Sequence, residues 1–140
     1  MVRALIEKDN FPKENIMLIG IRNPKQEEIS FISKNKIKQI SVNQINENLH
    51  EMTDIIMEFA QKKDLYISIN INAIDPAFAP STPYIEPGGL SSRQMIYIIS
   101  RLSILKNLKA IDIVEINSDK DKNNSSITIK LAAKLLAEFL

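Results

Sequence analysis

The stretch Tyr66–Pro76, YISININAIDP, decides the predicted fold. It reads as a strand over Leu65–Asn72 followed by an Asp-Pro turn. Side chains alternate between the two faces of a strand. The apolar face comprises Leu65, Ile67, Ile69 and Ile71, and the polar face comprises Tyr66, Ser68, Asn70 and Asn72. Buried polar side chains need hydrogen-bond partners, so the carboxyl end of this strand is the predicted site.

Asn70 and Asn72 stand two positions apart on the polar face, about 7 Å along the strand. Two carboxylates at this spacing would form a platform for hard divalent cations. An asparagine keeps one carbonyl acceptor but carries no negative charge. Neutral amides do not offset the repulsion between two divalent cations held close together, so the pair is a poor metal platform.

The other segments alternate between strand and helix patterns. Strands are also predicted over Asn15–Ile21, Ile37–Ser41 and Ala110–Ile116. Helices are predicted over Val2–Lys8, Pro24–Lys34 and Asn43–Lys62, from Ser91 or Ser92 to Leu105, and over Ser126–Leu140. This order predicts a single α/β domain over residues 1–140, with three α/β/α layers and a mainly parallel sheet.

The segment Ala73–Gly89 follows the decisive strand and is predicted to be a long loop. It contains four of the six prolines and two of the three glycines. Sites in parallel α/β sheets form in loops beyond the carboxyl ends of the strands. The loop therefore lies where a site is expected.

Composition narrows the class of protein. The net charge of +1 gives no electrostatic case for a nucleic-acid partner. The chain has no cysteine, which excludes disulfides and thiolate metal sites and fits the cytoplasm. No apolar run approaches the ~20 residues of a membrane span, and the N-terminus lacks a signal-peptide core.

The run Ser68–Leu90, SININAIDPAFAPSTPYIEPGGL, resembles the third signature of the ureohydrolases, the arginase and agmatinase family. That signature is approximately Ser-x-Asp-x-Asp-x-x-Asp-Pro, followed by a proline-rich loop ending in Gly-Gly. Three further stretches are similar to the family's mid-chain strand and helix, last strand and C-terminal helix: NIMLIGIRNPKQEE (15–28), AIDIVEIN (110–117) and ITIKLAAKLLAEFL (127–140). The resemblance covers essentially the whole chain, but only the C-terminal half of a family member, and implies half of an arginase-like fold.

The resemblance implies ancestry in guanidino hydrolysis, because the family releases urea with two manganese ions that activate a bridging hydroxide. The family's other signatures, Gly-Gly-Asp-His and Asp-Ala-His-x-Asp, are absent from this sequence. The two metal-binding Asp positions of the third signature are Asn70 and Asn72 here. We therefore assign no catalytic residue and expect no cofactor. The two asparagines are either weak ligands or amides that hydrogen-bond around a vacated metal site.

The remaining residues of the signature have structural interpretations. Asp75 matches the aspartate before proline, and its side chain favours a turn with Pro76. Gly88 and Gly89 serve backbone geometry that other residues resist. Glu115 matches the family's last-strand glutamate, which pairs with the substrate guanidinium. It could bind a guanidinium or an amine, or pair with a neighbouring donor.

Three other features have non-functional interpretations. Glu86 is predicted to be a solvated loop carboxylate. His50, the only histidine, matches neither missing signature and is predicted to be a solvated helix side chain. Ser118–Asn124, SDKDKNN, is predicted to be a solvated charge run.

Four functions remain open: a degenerate ureohydrolase domain for assembly or ligand sensing, one subunit of a split manganese hydrolase, an active hydrolase by itself, and an unrelated α/β binding module. The two asparagines count against the second, because a split should not remove ligands that this half would supply. The family places a strand of its N-terminal half between strands of its C-terminal half. Unpaired strand edges recruit partners, so we predict a homo-oligomer or a complex with an N-terminal-half chain.

Overall fold

Strands and helices alternate through residues 2–140, the part of the chain that the computed structural model describes. The strands are β1 (Met17–Ile21), β2 (Lys38–Ser41), β3 (Leu65–Asn70) and β4 (Leu108–Val114). The helices are α1 (Val2–Glu7), α2 (Gln26–Asn35), α3 (Val42–Glu47), α4 (Leu49–Ala60), α5 (Ser92–Ser103), α6 (Ser118–Lys122) and α7 (Ile127–Ala137). Short 3-10 turns cover Lys13–Asn15 and Ile71–Ala73. None of the helices within 2–140 has the length and apolarity to cross a bilayer.

The strands form two parallel pairs, β1 with β2 and β3 with β4. β1 and β3 lie close together at both ends. The Lys63 Nζ donates to the Asn15 Oδ1 (3.0 Å) just before the two strands. A Cβ atom at Gly20, near the end of β1, would stand 3.5 Å from the Cβ of Ala73, just after β3. No ladder joins β1 to β3 within residues 2–140, so their facing edges are unpaired.

The main core lies on the apolar face of β3. Ile69 and Ile71 are buried there, with α4, α5 and α7 contributing Ile56, Leu102 and Leu135. A smaller cluster of Ile16, Ile32 and Ile37 joins β1 to α2. The predicted parallel α/β fold is confirmed, because burial of apolar strand residues under helices is the arrangement such a sheet requires.

The predicted helix Asn43–Lys62 is wrong as one element. It is interrupted at Asn48, whose backbone φ of −150° is not helical. The Asn48 Oδ1 accepts the backbone N–H of Glu51 (3.1 Å) and so begins α4. Asparagine at this position favours a new helix start over continuation of the old one.

The predicted strand Leu65–Asn72 is two residues too long. β3 ends at Asn70, and the chain then enters the 3-10 turn Ile71–Ala73. The Asn72 backbone N–H donates to the Asn70 Oδ1 (2.9 Å). The prediction that Asn70 and Asn72 share one strand face is therefore wrong, because the side-chain amide of Asn70 caps the turn that ends the strand.

The prediction of a solvated loop over Ser118–Asn124 is also wrong. Ser118–Lys122 forms α6, and the Asp121 side chain is fully buried. Its two carboxylate oxygens accept the backbone N–H groups of Thr128 (3.1 Å) and Ile129 (2.8 Å). A buried carboxylate is tolerated here because it satisfies the free amides that begin α7.

Candidate functional site at the carboxyl edge of β3 and β4

Asn70 and Asn72 end the strand with different environments. The Asn70 side chain is exposed, and its Oδ1 accepts the backbone N–H of Asn72. The Asn72 Oδ1 is enclosed and has no hydrogen-bond partner within the described chain. The Asn70 side chain therefore closes the turn, and the Asn72 side chain has an unsatisfied acceptor enclosed within the turn after β3.

Glu115 lies at the same edge as Asn70. The register of the two strands pairs Asn70 with Val114, and Glu115 follows directly. Glu115 is exposed and has a backbone φ of +69°, a left-handed conformation that is uncommon for a residue other than glycine. No hydrogen bond or ion pair to its carboxylate is found in residues 2–140. The strand end thus holds a free negative charge beside the capped turn.

Asp75 joins the two ends of the loop. Its Oδ1 accepts the backbone N–H of Ala77 (2.9 Å), and its Oδ2 accepts those of Gly88 (2.7 Å) and Gly89 (3.1 Å). The Ala77 amide is the main cause of a lowered pKa of the Asp75 carboxyl. Partial burial opposes this shift, while the two glycine amides and the Arg22 charge add to it. The loop entered at Pro76 is therefore closed by a charged carboxylate.

The two glycines meet different demands. Gly88 has a φ of +82°, which suits glycine. At Gly89 the limit is space, because a Cβ atom would stand 2.5 Å from the backbone nitrogen of Asp75. The close approach lets Asp75 donate its N–H to the Leu90 carbonyl (2.8 Å).

The middle of the loop is held by a buried polar cluster that sequence reasoning missed. Ser81 donates its backbone N–H to the Thr128 Oγ1 (3.1 Å), and its hydroxyl accepts from the Asn124 Nδ2 (3.0 Å). Ser81 and Thr128 are both fully buried. The only sign of the cluster in the sequence is Asp121, seven residues before Thr128 at the start of a helix. The segment between them has the composition of an ordinary polar loop.

Asp121 belongs to the same cluster. Burial, the strongest influence, would raise the pKa of its carboxyl. Hydrogen bonds from the Ile129 amide and from Ser81 and Thr128 outweigh it, and the pKa is lowered. The loop is therefore held by two charged carboxylates, Asp75 where its ends meet and Asp121 at its middle, beside Ser81.

The two anchors predict how stability depends on pH. Both carboxyls have a folded-state pKa below the ordinary value of 3.8. Their contribution is therefore complete above that value and is lost as pH falls through the folded-state pKa. We expect the free energy of unfolding to drop as the pH falls below about 4 and through the folded-state pKa values, measured by urea denaturation. Asp75→Asn and Asp121→Asn should each flatten this drop, and an unchanged slope in both variants would contradict the assignment.

Glu86 and His50 both make contacts. The exposed Glu86 accepts from the Asn23 Nδ2 through its Oε1 (2.5 Å) and from Arg22 through its carbonyl (2.8 Å). The exposed His50 shares a hydrogen bond with the Tyr97 hydroxyl (2.8 Å) between α4 and α5. Glu86 thus connects the loop to the residues that follow β1, and His50 connects α4 to α5.

The donor set at this edge does not fit two manganese ions. Within residues 2–140, no three His, Cys, Asp or Glu side chains converge as ligands. The Asn70 Oδ1 accepts a backbone N–H, and the Asn72 Oδ1 is enclosed. Hard divalent cations need several oxygen ligands with negative charge among them, and two neutral amides do not supply it.

The parallel strand pairs and the loop closed by Asp75 and Gly89 define an α/β domain of the ureohydrolase type. The chain belongs to the arginase family, whose family model matches residues 1–140. The resemblance drawn from the Asp-Pro and Gly-Gly motifs is thereby confirmed.

Several relatives with known names match this chain. Proclavaminate amidinohydrolase of Streptomyces clavuligerus is 31% identical over 125 residues, which cover 87% of this chain and 39% of that protein. Agmatinase of Pyrococcus horikoshii is 30% identical over 121 residues, covering 86% and 40%. The solved agmatine ureohydrolase of Thermoplasma volcanium has a TM-score of 0.81 and 32% identity over 98% of this chain and 44% of its own. The chain thus spans about two fifths of the length of these curated relatives.

Proposed function

We propose that this chain is a single ureohydrolase-family domain, a guanidino C–N hydrolase by ancestry, that does not hydrolyse guanidino compounds by itself. The observation that carries the proposal is the hydrogen bond from the Asn72 amide to the Asn70 Oδ1. It engages the side-chain oxygen of Asn70, and this neutral amide brings no negative charge to a metal at the strand end. The strand end is therefore closed by an amide cap in the place where the family's signature has a charged ligand.

The loop geometry supports the same proposal. Three backbone amides hold Asp75 where the ends of the loop meet, and the Ser81–Thr128 contact holds its middle. These bonds need no cation, so the domain can keep its loop in place without one. A domain that retains this scaffold without the metal ligands is suited to assembly or to ligand binding. We propose separately that it acts in the cytoplasm.

Glu115 favours a ligand-binding role as a second candidate. Its carboxylate has no partner within the described residues and lies at the sheet edge where β3 ends at Asn70. A free carboxylate beside a closed turn can bind a guanidinium or amine through charge and hydrogen bonds without catalysing its hydrolysis. Glu115→Gln is the variant that would remove such binding.

The unpaired edges of β1 and β3 favour an assembly role. One side-chain hydrogen bond before the strands and one close approach after them connect β1 and β3 within residues 2–140, and no ladder joins them. An open pair of parallel edges recruits another strand. We propose a homo-oligomer or a complex with a chain that supplies the N-terminal half, and the split manganese hydrolase remains the alternative within this arrangement.

Urea release tests the proposal. The purified chain with manganese and either agmatine or arginine is expected to release no urea above the rate without protein, because the charged ligands are missing. The agmatinase of Pyrococcus horikoshii serves as the positive control. Asn70→Asp with Asn72→Asp should also release none by itself. Manganese-dependent turnover by the unaltered chain alone would overturn the proposal, and turnover by the unaltered chain only together with an N-terminal-half chain would favour the split hydrolase.

A further inference from the structure

A polar cavity of about 550 Å³ lies at the carboxyl ends of β1 and β2. No residue of β3 or β4 is among those that line it. Its volume is that of an ordinary small-molecule site, and ligands of parallel α/β sheets bind beyond the carboxyl ends of the strands. The polar part of its lining comprises Arg22, Asn23, Gln39, Ser41, Asn43, Gln44 and the backbone of Gly88.

The loop forms one wall of this cavity with bare backbone. Gly88 belongs to the lining, and no atom of the described chain outside its immediate neighbours lies within 4 Å of the position that a Cβ atom would take there. The Gly88 N–H donates to Asp75 (2.7 Å), and the Nη2 of Arg22 donates to the Glu86 carbonyl (2.8 Å), so the wall is held in place. The cavity is therefore a space that the loop borders but does not fill.

Arg22 is the only charged residue among those that line the cavity, and much of its hydrogen-bonding capacity is unused. A guanidinium carries five N–H donors. The Nη2 of Arg22 donates to the Glu86 carbonyl, and the Nε is enclosed without a partner. The Nη1 is not among the enclosed atoms and has no partner within residues 2–140. The Nη1 is thus the donor that a ligand in the cavity can reach.

Two carboxylates lie near Arg22, and both already have donors of their own. Asp75 accepts three backbone N–H groups, and the Oε1 of Glu86 accepts the Nδ2 of Asn23. Neither carboxylate forms an ion pair with Arg22 in the described part of the chain. Arg22 therefore has no carboxylate in direct contact.

The amide side chains of the lining add donors beside Arg22. The Oε1 of Gln44 accepts the backbone N–H (2.9 Å) and the hydroxyl (3.0 Å) of Ser41, which leaves its Nε2 to donate. Gln39 and Asn43 are exposed, and neither side chain forms a hydrogen bond within residues 2–140. Such amides can turn either their donor or their acceptor toward a ligand. Arg22 and Gln44 can only donate, so a fitting ligand must accept.

We propose that this cavity binds a small molecule through its carboxylate, which accepts hydrogen bonds from the Nη1 of Arg22 and from the side-chain amides of Gln44 and Asn43. One guanidinium matches the single negative charge of a carboxylate. A phosphate, with about two negative charges near pH 7, would need further cationic groups. The inference is independent of the proposed function, because it uses no residue of β3, β4 or the turn after β3.

The probes are propionate, lactate and alanine, which share a carboxylate, with propionamide as the uncharged control and inorganic phosphate as a second anion. Each is titrated at constant ionic strength into the full chain, labelled with a heavy nitrogen isotope and followed by two-dimensional NMR. We expect at least one carboxylate to cause saturable shifts of the side-chain N–H signals of Arg22, Asn43 and Gln44. Propionamide should cause none, because it lacks the charge that Arg22 recognises.

Asn43→Asp is the variant that tests the site, since it places a negative charge beside the ligand carboxylate. We expect it to weaken binding about tenfold or more. Asn43 lies in the first turn of α3, where a helix favours an acidic side chain, so the fold should be kept. Gln26→Glu is the matched control, because it makes the same charge change at the exposed start of α2, outside the cavity lining, and should bind like the unaltered chain.

The outcomes decide the proposal without any measurement of urea release. No saturable shift of the three side chains with any of the carboxylates would overturn it, as would equal weakening by Asn43→Asp and Gln26→Glu. Tighter binding of phosphate than of every carboxylate would overturn the assigned ligand class. Arg22→Gln should abolish binding while circular dichroism shows a retained fold, and unchanged binding by this variant would also overturn the proposal.

Discussion

Replacing Gly89 by alanine is expected to lower the free energy of unfolding by about 3 kcal/mol. The added Cβ would stand 2.5 Å from the Asp75 nitrogen and 2.6 Å from the Ile74 carbonyl carbon. Both are backbone atoms, so neither can rotate away. The loop must then separate from the strand end, which also strains the hydrogen bond between Asp75 and Leu90. Denaturant unfolding followed by circular dichroism measures the change.

Gly88→Ala is the matched control. Nothing lies within 4 Å of a Cβ atom at Gly88, so the only strain is its φ of +82°. We expect a loss of about 1–2 kcal/mol for that conformation. If Gly89→Ala destabilised the chain no more than Gly88→Ala does, the close contact between the loop and the strand end would be refuted.

Asp121→Ala is expected to cost about 3 kcal/mol, the second-largest effect on stability. The change leaves the buried amides of Thr128 and Ile129 at the start of α7 without their acceptor. It also removes a negative charge from a helix N-terminus, where the macrodipole favours one. Thermal and denaturant unfolding measure the effect.

Asp119→Ala is the control on the same helix, since its side chain is 88% exposed and pairs only with Lys122. We expect its effect to stay within about 0.5 kcal/mol. Equal effects at the two positions would show that the carboxylate of Asp121 does not hold α6 and the loop to α7.

Sequence reasoning predicted the fold well because long-range motifs carried it. The Asp-Pro turn at Asp75 and the Gly-Gly pair at Gly88 are spaced by a loop whose ends must meet, and that spacing is visible in the sequence. The alternation of apolar strands with amphipathic helices is also visible in the sequence, and it predicted the parallel topology.

The strand end was not predictable from alternation alone. Alternation assumes a continuing ladder, whereas the Asn70 side chain offered the Asn72 backbone N–H a nearer acceptor and ended the strand. The break at Asn48 has the same cause. Side-chain bonds to nearby backbone compete with regular structure, and hydrophobic periodicity does not register them.

Asp121 escaped prediction for another reason. Its neighbours Asp119 and Lys122 are charged and exposed, so the segment has the composition of a solvated run. Burial of the single residue Asp121 depends on the start of α7 folding against it, a contact that local sequence does not reveal. Glu115 was predicted inside a strand over Ala110–Ile116, whereas β4 ends at Val114 and Glu115 follows it in a left-handed conformation with a φ of +69°.

Manganese content tests most directly the proposal that the positions of Asn70 and Asn72 do not bind metal. The unaltered chain is incubated with excess manganese and dialysed, and metal per chain is measured by atomic emission. The amide cap between Asn70 and Asn72 predicts a content no higher than that of a control protein without a metal site. Stoichiometric manganese retained by the unaltered chain, and lost in Asn70→Ala, would contradict the account.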